Sequence, residues 1–209
     1  MPFVIYLRNR RYESDGVGMG CIKSFLLFEK HTCPWWLAYT WDHRLRKLIH
    51  DARHIVKPYL SEGDSAADIG CGMGYFSIAM ADYVGGSGKV FAVDLQQRML
   101  DILKKRSQQR SPRLPIKTLL AGSEENHIDV SLDFMLTFWM LHEVEDKAAF
   151  LRNWGSYLKK GGKYLLVEPK IHTSRKLFDE EVKICRNIGF EQISRPPIRV
   201  SRAVLFRKT

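Results

Sequence analysis

The chain has 209 residues, 45% of them hydrophobic and 27% charged, which fits one decorated α/β domain and excludes a disordered chain or a collagen-like repeat. No apolar run reaches the ~18 residues of a membrane span, and Phe3 to Leu7 is too short for a signal-peptide core, so a cytoplasmic protein is expected. The formal charge of +10 raises the question of a polyanionic partner.

The first 42 residues stand apart from the rest. They hold a basic tip, Arg8 to Arg11, a glycine-rich stretch, and the aromatic run Pro34-Trp35-Trp36-Leu37-Ala38-Tyr39-Thr40-Trp41. Residues 1–42 are read as an extension and residues 43–209 as the domain. From Leu45, apolar residues recur at Leu48, Ile49, Ala52, Ile55 and Val56, predicting one entry helix that ends near Pro58. Strands and helices then alternate, the signature of a parallel sheet covered by helices. Strands are predicted at Ala66 to Ile69, Val90 to Val93 and Pro115 to Leu120, with helices at Tyr75 to Val84 and Gln96 to about Arg106. Phe134 to Trp139 is a near-continuous apolar run, as expected of a central strand buried on both faces. A helix with Phe150, Leu151, Trp154, Tyr157 and Leu158 on one face follows, stopped by Gly161-Gly162 after Lys159-Lys160. Lys163 to Val167 is the fifth strand. Phe178, Val182 and Cys185 mark a last helix, and Phe190 to Ser194 with Val200 to Arg207 form a terminal hairpin.

Four cysteines, Cys21, Cys33, Cys71 and Cys185, lie far apart without a Cys-x-x-Cys pair, so free thiols and no metal site are expected. The basic charge is concentrated in two acid-free runs. Lys104, Lys105, Arg106, Arg110, Arg113 and Lys117 form one, and Arg195, Arg199, Arg202, Arg207 and Lys208 the other.

The chemistry-bearing motif follows the first strand. In Asp68-Ile69-Gly70-Cys71-Gly72-Met73-Gly74, three glycines at alternate positions let the backbone turn sharply and approach a ligand, just ahead of a helix amino end. A dinucleotide fingerprint spaces its glycines G-x-G-x-x-G and addresses a pyrophosphate. Here the spacing is G-x-G-x-G, and Asp68 disfavours phosphate and suits a cationic amino group. Asp94, 20 residues beyond Gly74 at the end of the second strand, is placed to accept two hydrogen bonds from a ribose diol. An ammonium, a ribose and no phosphate describe S-adenosylmethionine.

On these residues the sequence resembles the class I methyltransferases, and within them the small quinone-biosynthesis methyltransferases, firmly over about residues 60–170. The segment Phe134 to Trp139 with Met140-Leu141-His142-Glu143, and the stretch Leu158 to Lys163, follow in the family's order. The resemblance implies a Rossmann-like, doubly wound seven-stranded sheet in the order 3-2-1-4-5-7-6 with strand seven antiparallel. It implies that Asp68, Gly70, Cys71, Gly72 and Gly74 hold the methionine part of the cofactor, Asp94 the ribose, and that Leu95 flanks the adenine. Ser123 stands where the family carries the acid that binds the adenine amino group, so adenine recognition falls to Ser123 or Glu124. Phe138 and Trp139 line the cofactor site, His142 and Glu143 are the candidate catalytic groups, and no metal is implied. The product is S-adenosylhomocysteine.

Methyl transfer from a sulfonium is an in-line displacement, so alignment and desolvation supply most of the catalysis, with a base needed only where the acceptor loses a proton. Trp35, Trp36 and Tyr39 form either a packed hinge or a lid over the acceptor pocket. Only about 40 residues follow the fifth strand, which favours a small, partly apolar acceptor. The alternatives are a nucleic-acid methyltransferase, disfavoured because the basic runs belong at opposite sheet edges, and a non-catalytic module that binds the nucleoside.

Overall fold

A computed structural model of the chain describes residues 49–122, 128 and 130–209. Among the described residues five helices, α1 (Ala52–Val56), α2 (Tyr75–Val84), α3 (Gln97–Arg110), α4 (Lys147–Tyr157) and α5 (Arg175–Asn187), flank seven strands. These are β1 (Ser65–Ile69), β2 (Lys89–Asp94), β3 (Ile116–Leu120), β4 (Leu132–Phe138), β5 (Leu158–Pro169), β6 (Phe190–Ser194) and β7 (Ser201–Lys208). The sheet order is β3-β2-β1-β4-β5-β7-β6, with β7 antiparallel to both neighbours, as the resemblance implied.

Alternation along the strands explains the two layers. On one face Phe134, Leu136, Leu165 and Val167 pack with Ala52, Val56, Phe76 and Met80 of α1 and α2. On the other, Met135, Tyr164 and Leu166 pack with Leu151 and Trp154 of α4 and Phe178 and Val182 of α5. Since β4 is covered on both sides, every position from Phe134 to Leu136 is fully buried, each large side chain contributing about 1.5–3 kcal/mol. Thr137 and Tyr164, both buried polar residues, satisfy each other through a 2.7 Å hydroxyl contact.

Three boundaries differ from the sequence reading for identifiable reasons. The entry helix does not run unbroken to Pro58: Ile49 is helical, but Asp51 is extended and caps a new start at Ala52, accepting from the Arg53 and His54 amides. His50 is pulled out of helical geometry by long-range bonds, its Nε2 meeting the Arg199 carbonyl at 2.9 Å and its carbonyl accepting from the Tyr75 hydroxyl at 2.5 Å. The fourth helix ends at Tyr157, and Lys159 to Gly162 lie within β5 instead of closing the helix. Leu158 is extended and pairs with Leu132, so the chain enters the sheet directly, with an irregularity before Phe134 pairs with Lys163. Finally, α3 continues to Arg110 because that guanidinium bonds Asp82 of α2 at 3.0 Å.

β3 and β6 are the two edges, so the basic runs lie on opposite sides. Many of their charges are also engaged locally. Arg207 pairs with Glu191 at 2.7 Å, Lys208 donates to the Gly155 and Leu158 carbonyls, and Arg202 donates to the Thr173 carbonyl.

Candidate active site at the carboxyl edge of the sheet

β1 lies between β2 and β4, where the strand order reverses, and a crevice outside the carboxyl ends of such strands is the expected ligand position in this architecture. The Gly70 and Cys71 amides both donate to the Val93 carbonyl at 2.9 Å, which bends the chain back over β2. Of the three glycines, Gly72 and Gly74 differ most in surroundings. Gly74 (φ +81°) is pressed against α3, where a Cβ would fall 2.0 Å from Leu103 Cδ1. Gly72 (φ +53°) has nothing within 4 Å of where its Cβ would stand, so it faces open space above the loop.

Asp94 is tied to that loop. One carboxylate oxygen accepts from the Gly72 amide and the other from the Gln96 amide, both at 2.9 Å. Each oxygen keeps a lone pair for a further donor. Burial pushes the Asp94 carboxyl above its ordinary range, against the lowering effect of these amides. Leu95 follows, half-buried. Asp68 is 2% exposed beneath the loop and accepts from Ser77 Oγ at 2.5 Å. Cys71 is a buried free thiol whose ionisation is pushed well up by burial and by the charges of Asp68 and Asp94. Cys185 is likewise a buried free thiol.

The other wall comes from β4. Phe138 is buried against Phe76, ring centroids 4.3 Å apart, and stands edge-on to His50. Trp139 has φ +62°, a left-handed conformation costly for a bulky residue, held by its amide on the Val167 carbonyl and its indole N–H on Ser201 Oγ at 2.9 Å. Met140 touches the glycine turn: a Cβ on Gly70 would lie 2.8 Å from Met140 Cγ. The short 3-10 turn Leu141–Glu143 therefore starts where the two halves meet, and it carries His142.

Behind His142 lies a group that sequence reasoning missed. Glu168, at the end of β5, is fully buried, accepts from the Leu141 amide at 2.8 Å and from Thr173 Oγ1 at 3.3 Å, and bonds His142 Nδ1. Burial opposes protonation of His142, but the bond to Glu168 and the charges of Glu168 and Glu143 outweigh it and raise the imidazole above 6.5. His172 stacks 6.3 Å from His142, and burial followed by the His142 charge pushes it down. Glu181 of α5 is also fully buried, and among the described residues neither carboxyl oxygen has a hydrogen-bond partner. Burial and the charge of Glu168 raise its carboxyl to about 8. The signals for both acids were available: a lone acid ending the apolar run Tyr164 to Val167, and Glu181 between Phe178 and Val182 on the apolar stripe of a helix.

Trp35, Trp36 and Tyr39 and the adenine candidates Ser123 and Glu124 lie outside the described residues. Among the described residues no cluster of His, Cys, Asp and Glu suited to a metal ion occurs, and no helix is long and apolar enough to cross a membrane.

Residues 66–162 match the model of a methyltransferase domain family. The demethylmenaquinone methyltransferase of Oceanobacillus iheyensis is 32% identical over 108 residues, covering 51% of this chain and 44% of that protein. The chain thus spans about half the length of the curated relatives it matches. A solved S-adenosylmethionine-dependent methyltransferase from Aquifex aeolicus superposes with a TM-score of 0.71 at 21% identity, covering 85% of this chain and all of the other. Fibrillarin of Aeropyrum pernix, solved with natively bound S-adenosylmethionine, gives 0.60 at 18% identity over 74% of this chain and 73% of its own. The observed groups fit such a nucleoside: open space over Gly72, a half-buried carboxylate with free lone pairs at Asp94, and no basic side chain in the turn to receive a pyrophosphate. Residues 66–162 thus carry a methyltransferase domain on the fold of the solved S-adenosylmethionine-dependent methyltransferases, and about half of the chain resembles the demethylmenaquinone methyltransferases.

Proposed function

We propose that this chain transfers a methyl group from S-adenosylmethionine to a small, partly apolar acceptor. The observation that carries the reading is the open Gly72 cradle bonded directly to the Asp94 carboxylate, one residue set addressing a ribose and an approach free of side chains. Asp94 and the Gly70-to-Gly74 turn hold the nucleoside, Asp68 supplies negative charge beneath the methionine end, and Leu95 with Ser123 or Glu124 borders the adenine. When bound, the cofactor supplies a methyl group on a positively charged sulfur. Phe138, Trp139 and Met140 exclude water from one side, and His142 with Glu143 borders the acceptor's place.

For Trp35, Trp36 and Tyr39 the proposal is a lid over the acceptor pocket, with a packed hinge as the alternative. The demethylmenaquinone methyltransferase relatives make a quinol-like ring a reasonable first acceptor to offer. A panel of short-chain demethylated naphthoquinols and simple phenols, incubated with protein and S-adenosylmethionine, tests the function through release of S-adenosylhomocysteine. Turnover with a small acceptor supports it. Turnover with RNA alone favours the nucleic-acid alternative, and tight binding without turnover of any acceptor favours the non-catalytic one. A tryptophan fluorescence change on cofactor binding, reduced in Trp36→Ala, is expected of the lid.

A further inference from the structure

The cluster behind His142 takes no part in the cofactor cradle, and its arrangement is that of a proton-handling device. We infer that Glu168 is a positioning residue that holds His142 as the group receiving a proton from the methyl acceptor, so the site takes acceptors with an acidic O–H or N–H. The inference rests on the methyltransferase reading and deepens it.

The geometry carries it. Glu168 is 0% exposed, and a carboxylate so buried is costly unless its lone pairs are satisfied. Among the described residues its hydrogen-bond partners lie around one turn and the segment after β5: the Leu141 amide, the Thr173 hydroxyl and His142 Nδ1. The Leu141 bond fixes the backbone of the turn that carries His142, while the Nδ1 bond fixes the ring. A carboxylate acceptor at Nδ1 selects the tautomer with its hydrogen there, leaving the Nε2 lone pair open. Nε2 has no partner among the described residues, and the side chain is 18% exposed, so that lone pair is reachable.

The charged surroundings are arranged to match. Glu168 faces the imidazole from β5, Glu143 from the same turn, Lys147 from α4 and His172 from the segment after β5, while Glu181 faces Glu168 from α5. Because Glu181 stays protonated up to about 8, one negative charge, not two, stands behind the imidazole. His172, pushed down, stays neutral beside a protonated His142.

In the step itself the acceptor's X–H bond breaks, its proton passes to His142 Nε2, and its electron pair stays on X as the nucleophile for the methyl carbon. The electrons of the broken carbon–sulfur bond leave with sulfur. The imidazolium is balanced by Glu168, keeps its Nδ1 hydrogen, and loses the Nε2 proton to water afterwards.

The test follows His142 by NMR in the full chain labelled with 15N-histidine, assigned by loss of the signal in His142→Gln, in the complexes with S-adenosylmethionine and S-adenosylhomocysteine. The expected result is the Nδ1–H tautomer, with a titration midpoint lower by about half a pH unit or more in the S-adenosylmethionine complex, because the two ligands differ by one positive charge at the reacting sulfur. Glu168→Gln should keep cofactor binding, lose the tautomer preference and lower the midpoint by about one pH unit. Identical His142 titration in the two complexes, or an unmoved midpoint in Glu168→Gln, overturns the inference while the methyltransferase reading stands. If neither ligand binds, the reading beneath it fails as well. Should Glu168→Gln not fold, the two complexes of the unaltered protein still decide.

Discussion

The two halves of the sheet build the same crevice by different means. On the β3-β2-β1 side, function lies in backbone: a turn whose amides bend over β2, one glycine open to space, and one carboxylate clamped by two amides. On the β4-β5-β7 side it lies in buried side chains, with Glu168, Glu181 and His142 brought together from β5, α5 and a 3-10 turn. The first half is fixed by backbone hydrogen bonds and suits a ligand common to a family; the second holds buried charge and suits chemistry fitted to a particular acceptor.

The largest effect that can break this comparison separates Gly74 from Gly72. Gly74→Ala drives a Cβ into Leu103 at 2.0 Å in a left-handed backbone, and it is predicted to cost about 1–3 kcal/mol from overpacking with a further ~1–2 kcal/mol from backbone strain. Gly72→Val should cost only the strain but block the cradle, weakening cofactor binding by at least about tenfold. Thermal melts and calorimetry on both variants check this, and equal losses of stability would erase the distinction. Asp94→Ala comes next, predicted to weaken cofactor affinity by at least about tenfold with little change in melting. Since burial already raises the Asp94 carboxyl, affinity should fall as pH drops toward its value and that carboxyl protonates. Affinity that is flat from neutral pH down to pH 4 would remove Asp94 from the ribose.

How far each half could be read in the sequence follows from the same contrast. Asp68, the glycine turn and Asp94 are contiguous or one β-α-β unit apart, and backbone turns are dictated by local residue type, so spacing alone exposed them. Both covered faces of β4 were legible as well, because burial on two sides writes a near-continuous apolar run, whereas the sheet order came from the family resemblance. Glu168 and Glu181 were invisible as a cluster because they lie 26 and 39 residues beyond His142, and only the packing of β5 and α5 brings Glu168 to His142 and Glu181 to Glu168. The break at His50 was hidden for the same reason: its cause is a carbonyl at Arg199. Helical periodicity describes a local preference, which a buried long-range bond overrides.

The acceptor half is sharpened by the pH dependence of stability. Glu181 has its folded-state ionisation raised from 4.5 to about 8, so the folded protein binds that proton more tightly than the unfolded chain. Stability from this group is fully present below about 4.5 and is lost as pH rises toward about 8, by at most ~1.4 kcal/mol per pH unit. His142, also raised, acts in the same direction above 6.5. Denaturant midpoints between pH 5 and 8 should therefore fall less steeply in Glu181→Gln than in the parent, and an unchanged slope would mean that Glu181 is not the buried acid described. The smallest effect concerns the basic runs at the two edges, from which only weak nucleic-acid binding that disappears as salt rises through the physiological range is expected. Filter binding at two salt concentrations measures it, and retained affinity at high salt would require a continuous basic track that the two runs, on opposite sides of the sheet, do not form among the described residues.

The central claim is that the β1–β2 crevice is built for a nucleoside with a free ribose diol and a cationic amino acid end, and calorimetric titration of the full chain tests it most directly. Binding of S-adenosylmethionine and S-adenosylhomocysteine, abolished or strongly weakened in Gly72→Val and Asp94→Ala, with nicotinamide dinucleotide binding more weakly, is the predicted result. Tighter binding of the dinucleotide, or unchanged binding in both variants, would contradict it.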